Sequence, residues 1–192
     1  MARPKSEDKR KAILDAAAMV FAERGVWSTP TSAISRAAGV ADGTLFTYFA
    51  TKEVLVNALY RAIKEDLAKV MMDTCPMSAS FQAIFFHVWE SYVQWGIANP
   101  ARYKVLVQLQ VSNQISTESR LIGAAPFVQI EQFANLSRER DGMRQYPVAF
   151  VGALFSSIAD TTIAAMVRDP GGDVDYCRLG FDAFWRGVMV AE

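Results

Sequence analysis

Apolar residues return at the spacing of a helix face along almost the whole chain, and no stretch alternates apolar and polar residues over strand length. The pattern predicts an all-α protein of about nine helices. The first runs from about Glu7 to Glu23, gathers Ile13, Ala16, Ala17, Val20 and Phe21 on one side, and stops at Gly25. Thr31 to Lys52 then reads as two short helices about a tight turn. Thr31 or Ser32 supplies a hydroxyl cap, and Gly39 ends the first helix because a residue without Cβ reverses the chain cheaply. The second helix starts near Ala41 or Asp42. Small Ala37 and Ala38 are predicted to let the pair pack closely, with Val40, Leu45 and Phe49 turned inward and Thr44, Thr47 and Tyr48 left outside. In a helix-turn-helix the second helix lies in the major groove, so short polar side chains near its start meet base edges. Double-stranded DNA is therefore the predicted partner.

After Phe49, Thr51 caps a helix that passes Leu55, Leu59 and Leu67 towards Met72, before Pro76 forbids extension. The next begins near Ser78 or Ser80, ends before Pro100, and is aromatic nearly all round. A shorter helix carries Tyr103, Val105, Leu106, Val107 and Leu109, and Ser112 to Ser119 forms a loop and the following cap. Pro126, inside an apolar pattern from Leu121 to Leu136, marks either a kink or a break. The last two helices, Pro147 to Val167 and Asp173 to Val190, are separated by Asp169-Pro170-Gly171-Gly172 and form a hairpin. Large residues (Phe150, Leu154, Phe155, Phe181, Phe184, Trp185) and small ones (Gly152, Ala153, Ser156, Ala159, Gly180, Gly187) give each helix two apolar faces. One subunit cannot cover both, which predicts a homodimer through the last two helices as a four-helix bundle.

With 192 residues, 52% of them hydrophobic, the chain can bury a substantial core. No uninterrupted apolar run reaches the roughly 18 to 20 residues that span a bilayer, and MARPKSEDKRK is not a secretory signal, so a cytoplasmic protein without membrane contact is expected. Cys75 and Cys177, far apart in apolar surroundings, are expected as free, buried thiols. The 20 basic and 20 acidic residues cancel only overall. Residues 1–52 hold eight Lys/Arg against five acids, a net +3, and the remainder carries −3. A basic head on an acidic body directs attraction for phosphate to one end. Arg3 and Lys5 in the leader are placed to enter the minor groove or to meet phosphates. The division predicts two domains: 1–52 for DNA binding and 53–192 for ligand binding and dimerisation.

The run Ile13-Leu14-Ala16-Ala17, Phe21, Gly25, Thr31-Ser32-Ala33-Ile34, Ala37-Ala38-Gly39-Val40, Gly43-Thr44-Leu45-Phe46, Tyr48-Phe49 and Lys52-Glu53-Leu55 resembles the DNA-binding domain of the TetR family, the tetracycline-repressor-like bacterial regulators. Beyond it the chain resembles that family only in the number, order and length of helices. The resemblance implies that Thr44, with Ala41 and Thr47, meets bases, while Thr31, Tyr48 and Lys52 hold the DNA backbone. It also implies a transcriptional repressor released by a small molecule. Phe46 stands where the family often has Tyr, which removes one hydroxyl. Asp42 stands where the family is often basic or small, and an acid there is repelled by DNA unless it accepts from a cytosine amino group.

His87 is the sole histidine, which excludes a multi-histidine metal centre and leaves little room for a catalytic pair. No enzyme, metal or cofactor is expected. His87 is either a ligand contact or a satisfied interior side chain. Phe85, His87, Trp89, Tyr92, Trp95 and Tyr103 are the candidate lining of an effector pocket, near Met71 and Met72, with Glu90, Gln94, Gln108 and Asn113 as polar anchors. Such a lining suits a small apolar or aromatic molecule. The cluster Arg138, Glu139, Arg140, Asp141 and Arg144 reads as a solvated helix end. Two rivals stay open: a helical small-molecule-binding protein that has lost DNA recognition, which Asp42 favours, and an all-α enzyme using His87 and Glu90.

Overall fold

The computed structural model describes residues 6–128, 130, 132 and 144–190. Among these residues there are nine α-helices and no strand. They are α1 (Glu7–Arg24), α2 (Thr31–Ala37), α3 (Asp42–Tyr48), α4 (Lys52–Met72), α5 (Phe81–Ala98), α6 (Pro100–Gln110), α7 (Thr117–Ala124), α8 (Val148–Arg168) and α9 (Tyr176–Val188). A 3-10 turn, Ala125–Phe127, follows α7 and contains Pro126, which thus marks a break and not a kink within one helix. The chain packs as two units, Met1–Asp66 with Asn99–Ala124 and Leu67–Ala98 with Ala125–Glu192.

In the first unit α1 packs on α2 and α6 through a face that includes Ile13, Ala17 and Phe21, each fully buried. Burying a side chain the size of Ile13 or Phe21 contributes roughly 1.5–3 kcal/mol. Arg102 of α6 fastens this arrangement: its guanidinium donates to Asp15 of α1 at 2.6 Å and to Asp66 of α4 at 3.1 Å. Burial pushes the Asp15 carboxyl up, but hydrogen bonds from Lys11 and Arg102 outweigh that and hold it below its ordinary value. Asn57 and Arg61, one turn apart on α4, hold the start of α7. Asn57 donates to the Gln114 carbonyl at 3.1 Å and accepts from the Ser116 amide at 2.9 Å, and Arg61 donates to the Ser119 hydroxyl at 2.7 Å.

The core of the second unit is aromatic. Trp89 of α5 is fully buried, stacks on Phe184 with ring centroids 5.9 Å apart, meets Phe155 and Phe181 edge-on, and donates its indole N–H to the Cys177 carbonyl at 2.9 Å. Phe181 and Phe184 are fully buried, so one face of the terminal hairpin is occupied by α5. The other remains open: Phe150, Val167 and Leu179 are 53%, 63% and 59% exposed. The α8–α9 crossing is close at Gly180, where a Cβ would overlap Thr162 Oγ1 and stand 2.9 Å from the Trp89 ring. Helix α9 starts later than its apolar pattern suggests, because the Asp175 side chain caps it by accepting from the Arg178 amide.

Several expectations change. Cys177 is buried, and burial pushes its thiol up to about 11, but Cys75 is only half-buried. Ala37 is exposed and Ala38 half-buried, whereas Ile34 of α2 and Leu45 of α3 are fully buried. Pro30 stands at the N-cap of α2 with no side-chain cap bond, so neither Thr31 nor Ser32 plays that part. Arg3, Lys5, Arg138, Glu139, Arg140 and Asp141 lie outside the described residues. Arg144 closes the end of α9 instead, its amide donating to the Val188 carbonyl and its Nε to the Met189 carbonyl. Among the described residues one helix, α8, is long and apolar enough to cross a bilayer, with 22% of the relevant stretch buried. A search for an uninterrupted apolar run misses it because Ser156, Ser157, Asp160, Thr161 and Thr162 interrupt the pattern.

Candidate nucleic-acid interface

Helices α2 and α3 are joined at Gly39, whose φ of 65° lies in the left-handed region that glycine enters without Cβ strain. The Val40 amide donates to the Ser35 carbonyl at 3.0 Å and closes the turn. Fully buried Ile34 and Leu45, with Phe49 nearly so, lock α3 by its inner face. The outer face carries exposed Ala41, Asp42, Gly43, Phe46 and Thr47, with Thr44 half-buried at its edge. Open space faces Gly43, since a Cβ built there would meet nothing within 4 Å. The Thr47 hydroxyl donates to the Gly43 carbonyl at 2.8 Å, and the side chain is exposed.

Three side chains fix this surface from behind. Ser35 donates its hydroxyl to the Asp42 carboxylate, linking α2 to the start of α3. The Tyr48 hydroxyl accepts the Ser6 amide at 2.9 Å, binding the end of α3 to the start of α1. Lys52 Nζ donates to the carbonyls of Trp27 at 3.1 Å and Thr29 at 2.6 Å and lies 5.8 Å from the centre of the Phe21 ring. Partial burial lowers the Lys52 ammonium from its ordinary range. Between the turn after α1, the end of α3 and the start of α4 lies an open groove of about 580 Å³, lined by Trp27, Ser28, Thr29, Pro30, Thr31, Phe46, Ala50, Thr51 and Lys52. Thr31 and Lys52, both singled out in the sequence, are thus neighbours in one groove. The family described as "Bacterial regulatory proteins, tetR family" matches residues 13–59, which include Trp27, Ser35, Asp42, Tyr48 and Lys52. Over this stretch the chain is similar to the TetR family.

The TetR match continues in individual proteins. The chain is 41% identical over 59 residues to the HTH-type transcriptional repressor KstR2 of Rhodococcus jostii (strain RHA1), a segment that covers 31% of this chain and 29% of that repressor. Over longer spans the likeness is of fold. A TetR family transcription regulator from Shewanella sp. PV-4 superposes with a TM-score of 0.86 at 22% identity, covering 95% of this chain and 99% of that one. LfrR from Mycobacterium smegmatis, solved in complex with proflavine, superposes with a TM-score of 0.68 at 20% identity, covering 96% and 99%.

The effector candidates beyond the TetR-type head are only partly brought together. Phe85, His87, Trp89, Tyr92 and Trp95 share α5 in the second unit, whereas Tyr103 is on α6 in the first. Phe85 packs against Phe81, with centroids 4.4 Å apart, and against Trp185, and Tyr92 meets Phe155 edge-on at 5.4 Å. Burial, with Asp160 adding to it, raises the Tyr92 phenol above its ordinary value. His87 Nε2–H donates to the Asp73 carbonyl at 3.1 Å, the geometry of a satisfied structural side chain. No cluster of three or more His, Cys, Asp or Glu side chains that could hold a metal occurs among the described residues. Trp27 and the Ser35–Asp42 bond escape sequence reasoning. An exposed tryptophan in a turn has no periodicity to mark it, and a side-chain bond between two helices leaves no trace in either helix's pattern.

Proposed function

We propose that the protein is a ligand-responsive transcriptional repressor that binds a palindromic operator as a homodimer and is released by a small apolar or aromatic molecule. The observation that carries this is the TetR-type reading helix, held by buried Leu45 and Phe49 with its Ala41–Thr47 face open. In this reading Thr44, Ala41 and Thr47 meet bases, and Thr31, Tyr48 and Lys52 position the head on the DNA backbone. For Tyr48 and Lys52 that positioning is partly indirect, because both already bond to the protein's own backbone.

The exposed apolar side of α8 and α9 supports self-association through the last two helices. It also explains an apolar helix in a DNA-binding chain better than a membrane does, since Asp160 lies in the middle of α8. Two copies would place their reading helices roughly 34–36 Å apart, one turn of duplex. Phe85, Trp89, Tyr92 and Trp95 of α5 are the proposed effector lining, with His87 of the same helix as a further candidate. An effector acts only through its differential affinity for the DNA-competent and DNA-incompetent states.

The test is selection of bound duplexes from a random library, followed by titration of the selected duplex across salt. A palindromic consensus whose affinity falls steeply with salt is the expected result. Weak, salt-insensitive binding to every duplex overturns the proposal in favour of a small-molecule binder. The residue that favoured that rival, Asp42, has a structural role in its bond from Ser35. An enzyme using His87 and Glu90 finds less support, with His87 bonded to a backbone carbonyl and Glu90 exposed.

A further inference from the structure

Trp27 has no obvious reason to be where it is. Nothing in the helical pattern places it, and it stands 47% exposed in the turn between α1 and α2, a position where a large aromatic ring gains little from the protein itself. That turn is nonetheless rigid. Thr29, 1% exposed, donates its hydroxyl to the Gly25 carbonyl at 2.7 Å, Ser28 donates to the Arg24 carbonyl, and Lys52 of α4 takes the carbonyls of Trp27 and Thr29 as acceptors. The ring is held out into solvent by a backbone fixed on both sides.

The same open groove is lined by Phe46 of the reading helix, 45% exposed, and by Thr31 and Thr51, which bring hydroxyl-bearing side chains to it. The groove is continuous with the α3 surface and belongs to a head with a net charge of +3. A groove lined by two exposed rings, by hydroxyls and by a lysine matches a strand of alternating deoxyribose and phosphate. Deoxyribose offers a carbon face to a ring, and phosphate oxygens accept from hydroxyls and an ammonium.

We propose that Trp27 is a DNA-backbone contact: its ring, in the groove that Phe46 also lines, packs against a deoxyribose of the strand that crosses this groove. The inference rests on the DNA-reading function proposed above and adds an uncharged, sequence-independent contact to it. Because no charge is involved, Trp27 should strengthen binding without altering its salt dependence. Because the sugar is the same at every step, it should act equally on specific and random duplex.

The test compares the full chain with Trp27→Ala and Trp27→Phe, using a random-sequence duplex at low salt as the probe. The Ala variant should lose about tenfold in affinity, as truncation of an interface tryptophan commonly does, with an unchanged slope of log affinity against log salt, and the Phe variant should retain most of the parent's affinity. In parallel, duplex should protect part of the parent's tryptophan emission from acrylamide, and that part should be missing in Trp27→Phe. Trp89 and Trp95 are buried and Trp185 is half-buried, so the difference between the parent and Trp27→Phe isolates the share of Trp27 in this measurement. Equal affinity of parent and Ala variant, or quenching unaffected by duplex, overturns the inference while leaving the DNA-reading function intact. A changed salt slope in the Ala variant also overturns it, since the effect would then run through Lys52. A parent that binds no duplex at all overturns both.

Discussion

Ser35 on α2 donates its hydroxyl hydrogen to the carboxylate of Asp42, the first residue of α3. Ser35 is 1% exposed, and the positive end of the α3 dipole favours an anion at that position. Asp42 thereby ties the two helices across the Gly39 turn. Ser35→Ala and Asp42→Ala should each lower stability by about 1 kcal/mol, the usual net worth of such a bond. In a urea-unfolding cycle the double variant should lose little more than the worse single one, and simple additivity would show that the residues act independently.

Thr44 sits at the edge of the open face of α3, and its substitution should separate reading from attraction. Thr44→Ala is expected to weaken binding to the selected operator by about 1–3 kcal/mol and leave random-duplex affinity and the salt slope near those of the parent. Equal losses on both duplexes would place Thr44 against the backbone instead of a base.

Arg102 joins α1, α4 and α6 through Asp15 and Asp66. The Asp15 carboxyl is held below its ordinary value, so its contribution to stability is present above the unfolded value of about 3.9 and fades as pH falls through the lower folded one. Arg102→Met should therefore destabilise the fold at pH 6, and the gap from the parent should narrow below about pH 4. The carboxylate is partly exposed and screened, so the gap should be of order 1 kcal/mol. Urea midpoints at several pH values check it, and a pH-independent gap would assign the loss to packing of the arginine stem.

Gly180 lies where α9 crosses Thr162 and Trp89. A methyl group there has no room, and Gly180→Ala should cost about 1–3 kcal/mol through displacement of α9 despite the better helix propensity of alanine. Adding Thr162→Ala removes the nearest obstacle and should recover part of the loss. Thermal unfolding of both variants reads this directly, and a single variant as stable as the parent would show that the crossing yields.

The head was legible because its inner residues obey one helical period: Ile34, Leu45 and Phe49 are spaced for burial, and all three are buried. What escaped lies between elements. The Arg102–Asp15, Lys52–Thr29 and Tyr48–Ser6 bonds link positions 87, 23 and 42 residues apart, and no local pattern announces them. The two apolar faces of the terminal hairpin were visible as well. Periodicity alone could not say that Phe181 and Phe184 meet Trp89 while Phe150 and Leu179 face outward, because both faces carry large apolar residues. Likewise, an α5 that is aromatic nearly all round does not reveal which rings pack on one another.

The bond between the Ser6 amide and the Tyr48 hydroxyl fixes the point where the leader joins the fold, at the far end of the reading helix. Anything spliced upstream, such as an affinity tag or a fluorescent partner, would emerge beside the face proposed to read DNA and could crowd or attract the duplex there. Fusions intended for affinity measurements therefore belong at the opposite terminus, or must be cleaved off before duplex is added.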